Sequence, residues 1–115
     1  MFEVSELIYS ILSNNVALAA VVGNKIYPLV ADQKDEEPFI VYYVSEESNY
    51  SKQGQSQYRI IIAAYHTNYN AAVQLSGLIK DAIFGAAEMF RYVSGTPKLS
   101  EEYLISVELN YEYKK

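Results

Sequence analysis

Apolar residues recur at helical spacing in three stretches of the chain. Residues 3–13 carry them at positions 4, 7, 8, 11 and 12, which predicts an amphipathic helix. The uninterrupted apolar run from Val16 to Val22 predicts a short second helix, and Gly23 is suited to end it. A longer helix is predicted after the possible N-caps at residues 67–70, with a stop at Gly85.

Extended segments separate these helices. Residues 25–28 form a short one, which we place at a sheet edge because Pro28 has no N–H to donate to a neighbouring strand. Residues 94–100 contain a glycine and a proline between serines, which predicts a turn. The four longer strands are predicted at residues 39–45, 57–66, 88–93 and 103–113.

The order of these elements is helix, short helix, three strands, helix and two strands. Neighbouring strands with short connections pair antiparallel, and helices gather on one face of such a sheet. We therefore predict an α+β fold: an antiparallel sheet of four to five strands with two main helices packed on one face. A length of 115 residues is typical of one domain, so residues 1–115 are expected to form a single domain.

The middle strands carry apolar side chains on both faces. In residues 57–66, isoleucines and alanines occupy both sets of alternating positions, and residues 39–45 show the same pattern. A sheet with helices on one face normally alternates apolar and polar residues, as residues 103–113 do. Because the chain has too few helices for a second layer, we expect another subunit to cover part of the outer face. Curling of the sheet, or cover by a long loop, is the alternative.

The composition limits the classes of partner. The chain has 14 acidic and 9 basic residues and a formal charge of −5, which argues against the basic surface that tight nucleic-acid binding needs. The apolar run from Val16 to Val22 is far shorter than the roughly 20 residues of a membrane span. The acidic N-terminus does not resemble a signal peptide. No specific nucleic-acid binding and no membrane partner are therefore expected.

No arrangement of residues predicts catalysis or a cofactor. The chain has no cysteine, and its one histidine, His66, lies between a strand and a helix without a recognisable nucleophile or ligand set. We interpret His66 as a boundary residue that bonds to the adjacent turn. The acidic residues at 35–37 and 46–47 are expected to be solvated, with repulsion of a passing polyanion as a functional alternative. We predict that the protein is not an enzyme and uses no metal or cofactor.

Residues 46–56 are polar and form a long connection between two strands. Connections of this length are commonly functional or disordered, and ordering against a partner is the interpretation we favour. We expect partner contacts from this loop and from tyrosines of the adjoining strands. The candidate contact residues are Glu46, Glu47, Tyr50, Lys52 and Gln53 in the loop, and Tyr42 and Tyr65 in the strands.

Several short stretches resemble the tail-terminator, or tail-completion, proteins of long-tailed bacteriophages and prophages. They follow one another in the same order along nearly the whole chain. The stretches are VALAAVVG at 16–23, KIYP at 25–28, EPFIVY at 37–42, QYRIII at 57–62 with Tyr65, NAAVQL at 70–75, and the aromatic final strand.

This resemblance implies a virion structural protein without catalytic residues. Proteins of this family are small α+β domains that form a ring, commonly a hexamer, which caps the tail tube and joins it to the head. The implied partners are further copies of the chain, the tail-tube protein and the head connector protein. The implied location is the virion tail, with the host cytoplasm during assembly. A head–tail connector component, a small ligand-binding domain with His66 in its pocket, and a regulatory dimer domain are the open alternatives.

Overall fold

Three α-helices and five β-strands make up the part of the chain that the computed structural model describes. That part comprises residues 2–28, 38–47, 57–86, 90–99 and 104–114. The elements in chain order are α1 (Phe2–Ser13), α2 (Val16–Val22), β1 (Ile26–Pro28), β2 (Phe39–Glu47), β3 (Gln57–His66), α3 (Tyr69–Ala86), β4 (Phe90–Leu99) and β5 (Ile105–Lys114).

Helices α1 and α3 each bury one stripe of apolar residues, as their spacing predicts. The first turn of α3 is capped by Asn68, whose Oδ1 atom accepts a hydrogen bond from the Ala71 N–H at 3.1 Å. The helix continues through Gly85 to Ala86, one residue beyond the predicted stop. The buried apolar residues are Val4, Ile8 and Leu12 in α1, and Ala72, Leu75, Ile79, Ala82 and Ile83 in α3.

Helix α2 has a capping residue at each end. The Asn15 Oδ1 atom accepts a hydrogen bond from the Leu18 N–H at 3.0 Å. At the other end, Gly23 adopts a φ of 62°, which favours glycine, and its N–H donates to the Ala19 carbonyl at 2.9 Å. The predicted second helix and its stop at Gly23 are thus confirmed. Within the described ranges no single helix has the length and hydropathy of a membrane span; α1 and α2 reach them only in combination, across a bend of 81°.

The five strands form one sheet in the order β1-β2-β3-β5-β4. Strand β1 runs parallel to β2 at one edge, and the other three pairs are antiparallel. The predicted α+β class is confirmed, and β1 makes the sheet mixed. Apolar residues of all three helices and of one face of the sheet form a single core. The sheet contributes to this core through residues that include Ile40, Tyr42, Ile60, Ile62, Val107, Leu109 and Tyr111.

Strand β4 extends to Leu99, so the turn predicted at residues 94–100 is wrong. The strand pairs with β5 along its length, with a bulge after Tyr92. Pro97 is tolerated because an edge strand has a neighbour on one side only. Gly95 has no side chain and therefore leaves room for the phenol of Tyr92. A Cβ atom at residue 95 would lie 2.6 Å from the Tyr92 Oη atom. Pairing with β5 therefore overrides the local preference for a turn.

Candidate interaction surfaces

Several apolar side chains on the outer face of the sheet, opposite the helical core, are buried within the single chain. Phe39 and Tyr65 lie opposite each other and stack, with ring centroids 4.8 Å apart and an interplanar angle of 15°. Val41 lies opposite Ala63. Phe39, Val41 and Ala63 are only 7%, 6% and 4% exposed. The expectation that one chain leaves these side chains uncovered is therefore wrong, and cover of this face by a second subunit stays a prediction.

The two tyrosines predicted as partner contacts lie on opposite faces of the sheet. Tyr42 faces the helices, where its ring centroid is 6.3 Å from that of Tyr9 and its side chain hydrogen-bonds with Ser5. Tyr42 is buried, and burial raises the pKa of its hydroxyl. Its assignment as a contact is therefore wrong, because it is a core residue. Tyr65 is half-buried on the outer face, where burial and then the Glu108 carboxylate raise its pKa; its contact role stays a prediction.

The carboxylates that were placed in the loop belong to a strand. Glu46 and Glu47 end β2, where they lie opposite Tyr58 and Gln57 of β3. The predicted start of the loop at residue 46 is thus wrong, although the Glu46 side chain is exposed. The contact candidates Tyr50, Lys52 and Gln53, and the side chain of Glu47, lie outside the described residues.

His66 takes part in the turn between β3 and α3. Its Nδ1 atom accepts a hydrogen bond from the Asn68 N–H at 3.2 Å, beside the Asn68 side chain that caps the helix. This geometry confirms the predicted boundary role of His66. In the described part of the chain, no three histidine, aspartate or glutamate side chains converge to hold a metal ion.

Exposed apolar side chains border the space between α3 and the edge strand β4. Phe84, near the end of α3, is 89% exposed, and Leu99, the last residue of β4, is 69% exposed. A hollow of about 530 Å³ lies at the Phe84 end of this space, and one of about 270 Å³ lies at the Leu99 end. This surface could not be predicted from a turn at residues 94–100, because such a turn leaves no strand beside α3 at that end. The usable signal was Phe84, which lies beside the buried stripe of α3 and not in it.

An aromatic cluster forms the wall of the larger hollow. The Lys80 Nζ atom lies 4.5 Å from the centroid of the Tyr92 ring, and Tyr111 meets the same ring edge-on at 5.5 Å. Burial, followed by the Tyr92 phenol and the Asp81 carboxylate, raises the pKa of Tyr111 to about 12. Tyr111 therefore keeps its proton to a higher pH than an exposed tyrosine does.

Ion pairs join β4 to β5 on the outer face. The Lys98 Nζ atom lies 3.0 Å from the Glu108 carboxylate, and the Arg91 guanidinium lies 3.4 Å from that of Glu112. The Glu108 and Glu112 side chains are 27% and 18% exposed, whereas those of Lys98 and Arg91 are 57% and 78% exposed. The cations therefore form the outer layer of this edge, above the carboxylates that hold them.

Known proteins match both the sequence and the fold over most of the chain. Among solved structures, a chain from the "Virion of native gene transfer agent (GTA) particle" aligns with a TM-score of 0.74 and 17% sequence identity, covering 93% of this chain and 90% of that chain. This likeness shows a shared fold. No curated protein matches the sequence. The family profile described as Tail completion protein gp17 matches residues 6–112, which is nearly the whole length. The resemblance seen in the sequence is thus confirmed, and the chain belongs to the tail completion protein gp17 family of bacteriophage virion structural proteins.

Proposed function

We propose that this protein forms a ring, a hexamer in the commonest arrangement of the resembling proteins, that caps the head-proximal end of a phage tail tube. The observation that carries the proposal is the family match over residues 6–112. The exposed apolar side chains beside α3 and β4 add support, because uncovered patches of this kind commonly mark protein–protein contacts.

The ring has two partners besides further copies of the chain. The tail-tube protein lies on one side, and the head connector protein lies on the other. Tyr65, which is half-buried on the outer sheet face, and Glu46, which is exposed near the end of β2, contact neighbouring subunits or the tube. The same role is proposed for Tyr50, Lys52 and Gln53 in the connection after β2.

The role requires neither catalysis nor a grip on nucleic acid. DNA passes through the ring during infection, and a chain with a formal charge of −5 does not hold a polyanion by counterion release. The protein acts in the virion tail and reaches it from the host cytoplasm during assembly, without a membrane partner.

Negative-stain electron microscopy of the purified protein, alone and with tail-tube protein, tests this function. Closed rings, or tubes capped at one end, are the expected result. Particles that associate neither with one another nor with tube protein contradict it. Rings that bind a head connector but leave tube ends bare assign the chain to the head–tail connector instead.

A further inference from the structure

We propose that copies of this chain pack side by side, with the end of strand β2 of one copy against the edge strand β4 of the next. The inference rests on the ring proposed above, because a closed ring of more than two identical copies needs two different surfaces on each copy. One is the β4 edge, formed by strand β4. The other is the β2 edge, formed by residues 43–47 of strand β2.

Both surfaces are open edges of the same sheet. Strand β4 is the last strand in the order β1-β2-β3-β5-β4, and every residue from Arg91 to Leu99 is exposed. At the other side of the sheet, β1 pairs only with residues 40–42 of β2. Within the described residues, no strand covers residues 43–47 on that side. An open strand edge is a ready place for another chain to pack.

The two edges carry opposite charge. Residues 29–47 contain six acidic residues and one lysine, so their formal charge of −5 equals that of the whole chain. Part of this segment lies outside the described residues, but Glu46 of β2 is described and its side chain is exposed. Strand β4 contains Arg91 and Lys98 and no acidic residue. Opposite charges on two surfaces steer their association and fix its register.

The cations of β4 keep hydrogen-bond donors for a neighbour. Arg91 pairs with Glu112 of β5, and Lys98 pairs with Glu108. In each pair the carboxylate is the more buried member, so the cation faces solvent on the outer side of the sheet. A guanidinium has five N–H donors and an ammonium group has three, so one carboxylate partner leaves several donors available. The internal pairs therefore position the cations for a second contact.

Arg91 and Glu46 lie at matching levels along the strands. Arg91 lies opposite Glu112, Glu112 lies opposite Arg59, and Arg59 lies opposite Ser45, the residue before Glu46. The rotation that generates a ring keeps each residue at its own level along the ring axis. With the strands along that axis, Arg91 of one copy therefore meets Glu46 of the next.

Lys98 is level with the other end of β2 by the same count. It lies opposite Ser106, Ser106 lies opposite Tyr65, and Tyr65 lies opposite Phe39. Glu37 precedes Phe39 by two residues in the sequence and lies outside the described residues. The bulge in β4 absorbs one residue, so the seven steps from residue 91 to residue 98 match the six from residue 39 to residue 45. Basic residues on β4 are thus spaced like the acidic ends of β2.

Two-fold pairings of the same edges bring like charges together. If β4 packed antiparallel on β4 of a second copy along its whole length, Arg91 of each copy would lie opposite Lys98 of the other. If β2 packed on β2, the negative charge of both copies would meet. Like charges opposite each other destabilise a strand pair. Packing of β2 against β4 opposes unlike charges and leaves one edge of each copy free for the next copy.

Two charge-reversed variants and their mixture test this contact. The β4 variant is Arg91→Glu with Lys98→Glu, and the β2 variant is Glu46→Lys with Glu47→Lys. Each variant by itself opposes like charges at every contact, whereas an alternating assembly of the two opposes unlike charges at every contact. Asp81→Lys is the matched control, because Asp81 is exposed on α3, which packs on the middle strands β3 and β5. Circular dichroism checks that each variant is folded.

Multi-angle light scattering of the purified proteins measures the assembly. Each variant alone is expected to need at least about tenfold more protein than the wild type or Asp81→Lys to exceed 13.0 kDa. The equimolar mixture is expected to assemble at wild-type concentrations. Native mass spectrometry, with one variant isotope-labelled, is expected to find the two variants in equal number in each assembly.

A pair exchange separates local charge from net charge and from folding. Lys98→Glu with Glu108→Lys keeps the ion pair and the net charge but makes the exposed member acidic, so it is expected to weaken assembly and decides the question if the β4 variant does not fold. Folded variants that assemble like the wild type, a mixture that stays at 13.0 kDa, or loss of assembly in Asp81→Lys overturns the contact while ring formation stands. A wild type that remains at 13.0 kDa overturns the ring itself.

Discussion

Replacing Phe39 by alanine tests whether the outer face of the sheet is stabilised within the single chain. Phe39 is 7% exposed and stacks on Tyr65 at 4.8 Å. Truncation of a buried phenylalanine to alanine costs about 3–5 kcal/mol. Phe39 does not belong to the core between the helices and the sheet. We expect its neighbours on the outer face to relax into the cavity that the truncation leaves, so the loss should lie at the lower end of that range, about 3 kcal/mol.

Urea denaturation followed by far-UV circular dichroism measures this change. With a dependence of about 2 kcal/mol per molar urea, a loss of about 3 kcal/mol lowers the midpoint by roughly 1.5 M. The measurement is repeated at two protein concentrations, because self-association raises the apparent stability at the higher one. The part of the loss in unfolding free energy that is the same at both protein concentrations is the effect within the single chain.

Two further variants make the test specific to the Phe39 site. Tyr43→Ala, on the same face but exposed, is expected to cost less than about 1 kcal/mol. A double-mutant cycle of Phe39→Ala with Tyr65→Ala is expected to show a coupling of about 0.5–1.5 kcal/mol from the stacked rings. If Phe39→Ala costs a monomeric sample no more than Tyr43→Ala does, the single chain does not shield Phe39 and the reasoning is refuted.

Three other predictions follow from local geometry. Gly23→Ala is expected to lower the free energy of unfolding by about 1–3 kcal/mol, because φ at this position is 62°. Urea denaturation measures this loss, and an unchanged midpoint contradicts the proposed backbone strain. Gly95→Ala is expected to cost about 1–3 kcal/mol, since its Cβ atom would lie 2.6 Å from Tyr92 Oη, and less in a Tyr92→Phe background that lacks this oxygen; equal losses in both backgrounds contradict the clash. The free energy of unfolding is expected to fall as the pH rises from about 10 to about 12, because the pKa of Tyr111 is higher in the folded chain than in the unfolded one; Tyr111→Phe should reduce this fall, and an identical pH profile contradicts the assignment.

Periodicity alone was enough to predict the elements whose burial is one-sided. Helices α1 and α3 have apolar residues a turn apart and polar residues between them, and Gly23 marks the end of α2 by its own conformational preference. Strand β5 alternates in the same one-sided way, and its residues Val107, Leu109 and Tyr111 enter the core as predicted. The family resemblance was also legible in the sequence, since it consists of short stretches in a fixed order.

Strand β4 shows where local sequence is a poor guide. Gly95 and Pro97 favour a turn by themselves, yet both belong to the edge strand. Pairing with β5 supplies the hydrogen bonds that extend β4. The preferences of residues 94–100 by themselves do not include this partner strand. The two hollows between α3 and β4 therefore came only from the tertiary structure.

The role of the middle strands depended on tertiary structure for a different reason. With apolar residues at both sets of alternating positions, β2 and β3 give no sign of which face the helices cover. Packing of α1 placed Tyr42 in the core, and strand register placed Phe39 against Tyr65 on the other face. The sequence by itself thus determined the helices, the presence of each strand, the fold class and the family. Only the three-dimensional arrangement decided which apolar residues remain exposed, because burial depends on neighbours that are distant along the chain.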